Sequence, residues 1–213
     1  EDCPETAFAV NERGAAHIAA AAARRGAPVV YYSTDFVFDG RATTPYPPDA
    51  PVAPLSVYGK SKAAGEAATR AAQPHHCIIR TAWLYGLGGN NFVEKILRAA
   101  AARPELRVVE DEVGSPTYAR DLAEATWALV HHRAEGVFHA VNAGECSRYA
   151  FAREILSLAG SSTRLHPCSA AEFDSKAARP RYAVLDCSGL TAATGYVMRP
   201  WREALAAYMQ ERT

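Results

Sequence analysis

Tyr58 and Lys62 stand four residues apart where an alanine-rich run begins, and Thr34 stands just past the apolar segment VVYY (29 to 32). These residue types suit proton exchange at a carbon-bound oxygen. The run KAAGEAATRAA behind Ser56, a good N-cap, predicts a helix that puts Tyr58 and Lys62 on one face. A phenol titrates near ~10, and an adjacent ammonium favours the phenolate, so the pair is a general acid or base tuned toward neutral pH. Val29 to Tyr32 reads as a parallel strand covered on both faces, and the carboxyl ends of such strands are where open α/β sheets bind ligands. Thr34 at that end would hold the oxygen whose proton Tyr58 exchanges, the layout for hydride transfer to or from a carbon bearing oxygen. Alone, Tyr-x-x-x-Lys is a weak signal among ten tyrosines. Its conjunction with the strand-terminal Ser33-Thr34-Asp35 and a following proline loop carries the reading.

The elements that must position these residues follow from periodicity and punctuation. A helix over 5 to 25, ended by Gly26, feeds the Val29 strand, half of a right-handed crossover. Residues 41 to 55 hold five prolines and form an irregular loop, a rigid connector or a wall over the site. A strand over 76 to 85 brings Trp83 to the ligand edge. The turn GLGGNN (86 to 91), whose Asn90 and Asn91 could bind a polar ligand or cap a helix, leads to a helix over 92 to 102 and a strand over 106 to 113. A helix over 121 to 131, a strand over 136 to 141, a helix over 149 to 159, a strand over 164 to 168 and a helix from Ala170 come next. The last helix starts after Pro200, with Trp201, Leu205 and Tyr208 on one face. The fold class is α/β: a doubly wound parallel sheet of Rossmann type lacking its first strands, with a small α/β lobe for substrate. The sheet takes 1–83 and 118–142, the lobe 84–117 and 143–213. No G-x-G-x-x-G turn occurs, so the backbone cradle for a dinucleotide pyrophosphate is missing from this sequence.

Composition narrows the function classes. Lys plus Arg equals Asp plus Glu at 23 each, which leaves no basic field for nucleic acid or anionic lipid. No apolar run is long enough to span a membrane, and the acidic start EDCPETAF is no secretory signal, which favours the cytoplasm. The five cysteines are odd in number and free of C-x-x-C, favouring reduced thiols. The His75-His76 and His131-His132 pairs are sequence neighbours that do not share a helix face, so no metal ligand set is visible.

STDFVFDG (33 to 40), PLSVYGKSKAAGE (54 to 66), IIRTAWLYGLGGNNFV (78 to 93), GSPTYARDLA (114 to 123) and RPWREAL (199 to 205) resemble, in order, the extended short-chain dehydrogenase/reductases. The nearest resemblance is to the dTDP-4-dehydrorhamnose reductase family. It implies NADPH-dependent (or NADH-dependent) reduction of a dTDP-4-keto-6-deoxy sugar, with Mg2+ admitted though no ligands for it are visible. It implies Thr34, Tyr58 and Lys62 as catalytic residues, and Ser33, Tyr58, Lys62, Ala82 and Trp83 against the cofactor. Thr34, Asp35, Trp83, Asn90 and Asn91 would meet the nucleotide sugar. Asp35 also leaves open a nucleotide-sugar epimerase or dehydratase, and the absent glycine turn leaves open a non-catalytic regulatory relative. The family would carry further strands ahead of Glu1, so the sequence is expected to be a fragment. As such it would bind dinucleotide weakly and either dimerise through the Val29 strand or be completed by the missing segment.

Overall fold

The first helix is not continuous. In the computed structural model, which describes residues 1–172 and 177–212, α1 (Pro4–Phe8) runs into a π-helical turn, Ala9–Gly14, and then into α2 (Ala15–Arg24). The single helix expected over 5 to 25 is therefore widened in its middle, at a point where neighbours hold it. Tyr31 Oη donates to the Asn11 carbonyl at 3.0 Å, and Asn11 Nδ2 donates to Ser61 Oγ at 3.0 Å, bonds that offset the disturbed helical ladder.

β1 (Val29–Thr34), α3 (Val57–Ala72) and β2 (His76–Thr81) follow, with β1 and β2 parallel from Val29 opposite His76 to Thr34 opposite Thr81. Next come β3 (Leu84–Tyr85), α4 (Phe92–Ala102), β4 (Glu105–Val109), β5 (Val113–Gly114), β6 (Thr117–Tyr118), α5 (Ala119–His131) and β7 (Gly136–His139). The chain continues through β8 (Cys146–Ser147), α6 (Arg148–Leu158), β9 (Arg164–Cys168), β10 (Tyr182–Ala183), α7 (Ser188–Thr194) and α8 (Trp201–Glu211). The main sheet is β1-β2-β7, all parallel; β10-β5-β8, β3-β6 and β4-β9 are smaller sheets.

Four local expectations change. The strand over 76 to 85 stops at Thr81, because Trp83 turns into the left-handed region (φ 46), and Leu84–Tyr85 resumes as a separate strand paired with β6. The strand over 106 to 113 splits into β4 and β5, which pair with different partners. β1 is not covered on both faces: it lies at an edge of the described sheet, Tyr32 is 44% exposed, and burial becomes complete only at Ser33 and Thr34. The helix from Ala170 is a single 3-10 turn, Ala170–Glu172, and its continuation over 173–176 lies outside the described residues.

Among the described residues there are three apolar clusters, one around Phe38 and Tyr46 beside the strand ends and two that organise the lobe and the sheet. Of these two, one, with Tyr85, Val93, Ile96, Phe151, Trp201, Leu205 and Tyr208, is the centre of the smaller lobe, and the expected face of α8 is buried in it. The other lies against the main sheet and includes Ile79, Leu122, Leu129, Leu190 and Met198. Leu190 belongs to α7, which lies within the 143–213 expected for the lobe and packs on α5 and β7. Each fully buried side chain of this size contributes about 1.5–3 kcal/mol, which explains why a distant segment is recruited to the sheet. All five cysteines are free thiols, and among the described residues no helix is long and apolar enough to cross a membrane.

Candidate active site

The carboxyl ends of β1 and β2 and the first turn of α3 meet at a cleft of about 360 Å³, lined among others by Thr34, Asp35, Tyr58, Lys62, Trp83 and Arg148. Thr34 ends β1 and caps the short turn Asp35–Val37, its hydroxyl accepting from the Phe36 N–H at 3.2 Å. Ser56 caps α3 by accepting from the Gly59 N–H at 3.1 Å, which starts the helix one residue before Tyr58. Gly59 is what lets α3 come close: a Cβ there would stand 2.2 Å from the Phe36 carbonyl oxygen. The Tyr58 ring then meets Phe36 edge-on at 5.6 Å, with its hydroxyl end beside Thr34 and Asp35.

Although Tyr58 keeps 44% of its surface exposed, the phenol end lies inside the cleft. Burial pushes its pKa up, the Thr34 hydroxyl pulls it back, and the Asp35 carboxylate adds to the rise. This reverses the expectation that Lys62 draws the phenol down. The Lys62 ammonium is committed elsewhere: it donates to the Tyr32 carbonyl at 2.5 Å and sits 4.2 Å over the Tyr31 ring. Its own pKa is lowered by burial, with Glu66 opposing. A phenol held in its protonated form suits a proton donor better than a proton acceptor.

Asp35 is 2% exposed, and burial raises its pKa to about 6 against the pull of Thr34 and Arg148. Thr34 donates to Asp35 Oδ1 at 2.9 Å, while Oδ2 is buried without a partner. A hydroxyl has one proton. With Asp35 ionised, Thr34 spends that proton on the carboxylate and has a lone pair to offer Tyr58.

Trp83 reaches the cleft because of its left-handed backbone, a conformation that costs about 1–2 kcal/mol for a residue with a side chain. Gly114 makes room for it, since a Cβ there would lie 2.7 Å from the indole. Ala82, 2% exposed, lines the same wall. Ser33 also borders the cleft, but its hydroxyl donates to Glu66 Oε1 at 2.6 Å, so that proton is not available to a cofactor. Glu66 in turn holds Arg80 through two bonds of 2.8 Å, a buried pair tying α3 to β2.

Asn90 and Asn91 are not brought to this cleft. Asn91 caps α4, accepting from the Glu94 N–H at 3.1 Å and donating to the Gly86 carbonyl at 2.9 Å, and the exposed Asn90 accepts from Arg98. The sequence reading missed Arg148, the first residue of α6. Its guanidinium lies 3.5 Å over the Trp83 ring, and its Nε is 3.7 Å from Glu112. Nothing local singles it out; an arginine after the cap residue Ser147 reads as an ordinary helix start. Arg148 also lines a second cavity of about 560 Å³ with Arg107, Glu112, Arg179 and Arg181. Among the described residues no group of three or more His, Cys, Asp or Glu could hold a metal ion.

Comparison with known proteins follows the same lines. The family model of the RmlD substrate binding domain matches residues 1–213. The spore coat polysaccharide biosynthesis protein SpsK of Bacillus subtilis (strain 168) is 44% identical over 209 residues, covering 98% of this chain and 73% of that protein. A dTDP-4-dehydrorhamnose reductase of Sinorhizobium fredii is 40% identical over 215 residues, covering 96% of this chain and 73% of that protein. The solved structure of dTDP-4-dehydrorhamnose reductase from Bacillus anthracis in complex with NADP superposes with a TM-score of 0.96 at 38% identity, covering 99% of this chain and 75% of that one.

Proposed function

The chain belongs to the family of the RmlD substrate binding domain, and from that premise we propose that it reduces the 4-keto group of a dTDP-linked 4-keto-6-deoxy sugar, giving dTDP-L-rhamnose, with NADPH as reductant. The observation that carries the reading is the convergence of Thr34, Tyr58 and Lys62 on one cleft at the carboxyl edge of a parallel sheet.

The residues present fit the nicotinamide riboside end of the cofactor. Lys62 offers ammonium protons at the cleft beyond the one given to Tyr32, and Tyr58, Ala82 and Trp83 supply an apolar wall. NADPH, when bound, supplies the hydride that reduces the carbonyl carbon. Lys62 binds the ribose hydroxyls, and Tyr58 gives its proton to the carbonyl oxygen. Thr34 then turns its own proton toward the Tyr58 phenolate. Asp35 Oδ2 accepts from a hydroxyl of the sugar, and Trp83 packs on the sugar ring.

Arg107, Arg179 and Arg181 of the neighbouring cavity supply the charge a nucleoside diphosphate needs, and Arg148 lies between that cavity and the cleft. In this reading 1–83 and 118–142 form the cofactor part, and 84–117 with most of 143–213 the substrate lobe. The proposal extends to a cytoplasmic enzyme whose open β1 edge is covered by a second copy or by a further strand; light scattering on the purified protein tests the former. The function itself is tested by following NADPH consumption with dTDP-linked 4-keto-6-deoxy sugars, GDP-linked ones and simple ketones. Preference for the first supports the reading, and preference for GDP-sugars removes it.

A further inference from the structure

Two opposite charges of the cleft come from different parts of the fold. Asp35 sits at the end of β1, and Arg148 begins α6 in the smaller lobe. Asp35 is buried and Arg148 half-buried, both line the same cleft, and neither is saturated: Asp35 Oδ2 and Arg148 Nε lack hydrogen-bond partners. Arg148 is fixed in place from two sides, by the Trp83 ring under its guanidinium at 3.5 Å and by Glu112 at 3.7 Å. We propose that Arg148 is a positioning residue for the reduction: it holds Asp35 as a carboxylate inside the cleft, so that Oδ2 can accept a hydrogen bond from a hydroxyl of the bound sugar. The inference rests on reading this cleft as the sugar-reducing site.

The charged and titratable groups around Asp35 are few. Thr34 is its neighbour on β1, Tyr58 and Lys62 face the cleft from α3, Arg148 faces it from α6, and Glu112 lies beyond Arg148. Burial opposes the charged form of Asp35, the Thr34 hydrogen bond is the largest pull back toward it, and Arg148 is the cation that adds to that pull; Arg148, itself lowered to about 10 by burial, stays charged at neutral pH. A carboxylate only accepts hydrogen bonds, whereas a protonated Asp35 would present an O–H that competes with the sugar hydroxyl. Loss of the Arg148 charge therefore weakens sugar binding at neutral pH, and raising the pH restores it. A side chain that merely props Trp83 would give no such recovery.

The test is the pH profile of kcat/KM in the full-length protein for wild type, Arg148→Met and Arg148→Lys. An opposite charge within about 4–6 Å moves a carboxylate by roughly one to three pH units, and Arg148 acts on Asp35 from the wall of the same cleft. The acid limb of Arg148→Met should therefore rise by at least about one unit, through KM more than kcat, and Arg148→Lys should recover most of the wild-type profile. A uniform loss at every pH, or an unmoved limb, would overturn the proposal and leave Arg148 as packing for Trp83. Arg148→Gln carries the same comparison if Arg148→Met does not fold. Wild type inactive on every nucleotide sugar would instead refute the functional reading. Titration of the 13C-labelled Asp35 carboxyl then still decides the electrostatic claim: a higher midpoint in the variant supports it, an equal one ends it.

Discussion

At the residue scale, Tyr58 and Asp35 are held in protonation states by opposing causes, and each gives a measurable outcome. Tyr58→Phe removes one hydroxyl and leaves the edge contact with Phe36, so turnover should fall roughly 10²-fold or more with little change in melting temperature. Turnover near wild type would remove Tyr58 from the mechanism. Asp35 has its folded pKa raised to about 6, above the ordinary carboxylate value. The native state thus binds more protons than the unfolded chain between about pH 4 and 6, so ionising Asp35 destabilises the fold, and that penalty is relieved as pH falls through 6. It amounts to something on the order of 3 kcal/mol at neutral pH. Asp35→Asn should therefore melt higher than wild type at pH 7, with the difference closing toward pH 4, while kcat/KM falls. Equal pH dependence of melting in the two proteins would contradict this.

At the element scale, α3 carries Tyr58 and Lys62 to the cleft, and its first turn is set by Ser56 and Gly59. Ser56→Ala removes the cap bond to Gly59 N–H and should cost about 1 kcal/mol in urea denaturation. Gly59→Ala gains helix propensity but drives a methyl toward the Phe36 carbonyl, a backbone atom that cannot step aside cheaply. Its net effect should be destabilising by about 1–3 kcal/mol, with a larger loss of activity than Ser56→Ala shows. Helices such as α3 and α4 were legible in the sequence because cap and periodicity agree there. The placing of Tyr58 and Lys62 together on α3 was legible because their spacing is local. Trp83 was placed at the cleft, but the left-handed turn that puts it there was not foreseen, since nothing in the segment requires a non-glycine residue at φ 46. Asn90 and Asn91 have the chemistry of ligand contacts and serve instead as a helix cap and an arginine partner, a choice made by the fold around them. Arg148 and the Glu66–Arg80 pair depend on contacts between distant segments, which no local pattern encodes.

At the scale of the whole molecule, the buried Glu66–Arg80 pair ties α3 to the sheet, and Ser33 joins β1 to it. Burial by itself would raise the Glu66 pKa, but Arg80, with Ser33 and Arg70, outweighs it and holds the carboxyl below its usual range. That stabilisation is complete above an unfolded pKa of about 4.3 and is lost as pH falls, the opposite sign to Asp35. Arg80→Met leaves the buried Glu66 carboxylate with only Ser33 and Arg70 as partners, and should destabilise the protein by about 3–5 kcal/mol, which thermal melting at pH 7 would register. Loss of less than about 1 kcal/mol would mean that water reaches the carboxylate. The smaller lobe and the sheet meet where Arg148 covers Trp83, and this contact has an optical consequence. The three indoles sit in different surroundings: Trp127 is 71% exposed, Trp201 is 2% exposed, and Trp83 lies beneath a guanidinium in the cleft. With Trp127→Phe removing the solvent-facing emitter and Trp201 shielded in the lobe core, a change in fluorescence on adding nucleotide sugar reports on Trp83, so cleft occupancy can be read by eye of a spectrometer without a single turnover.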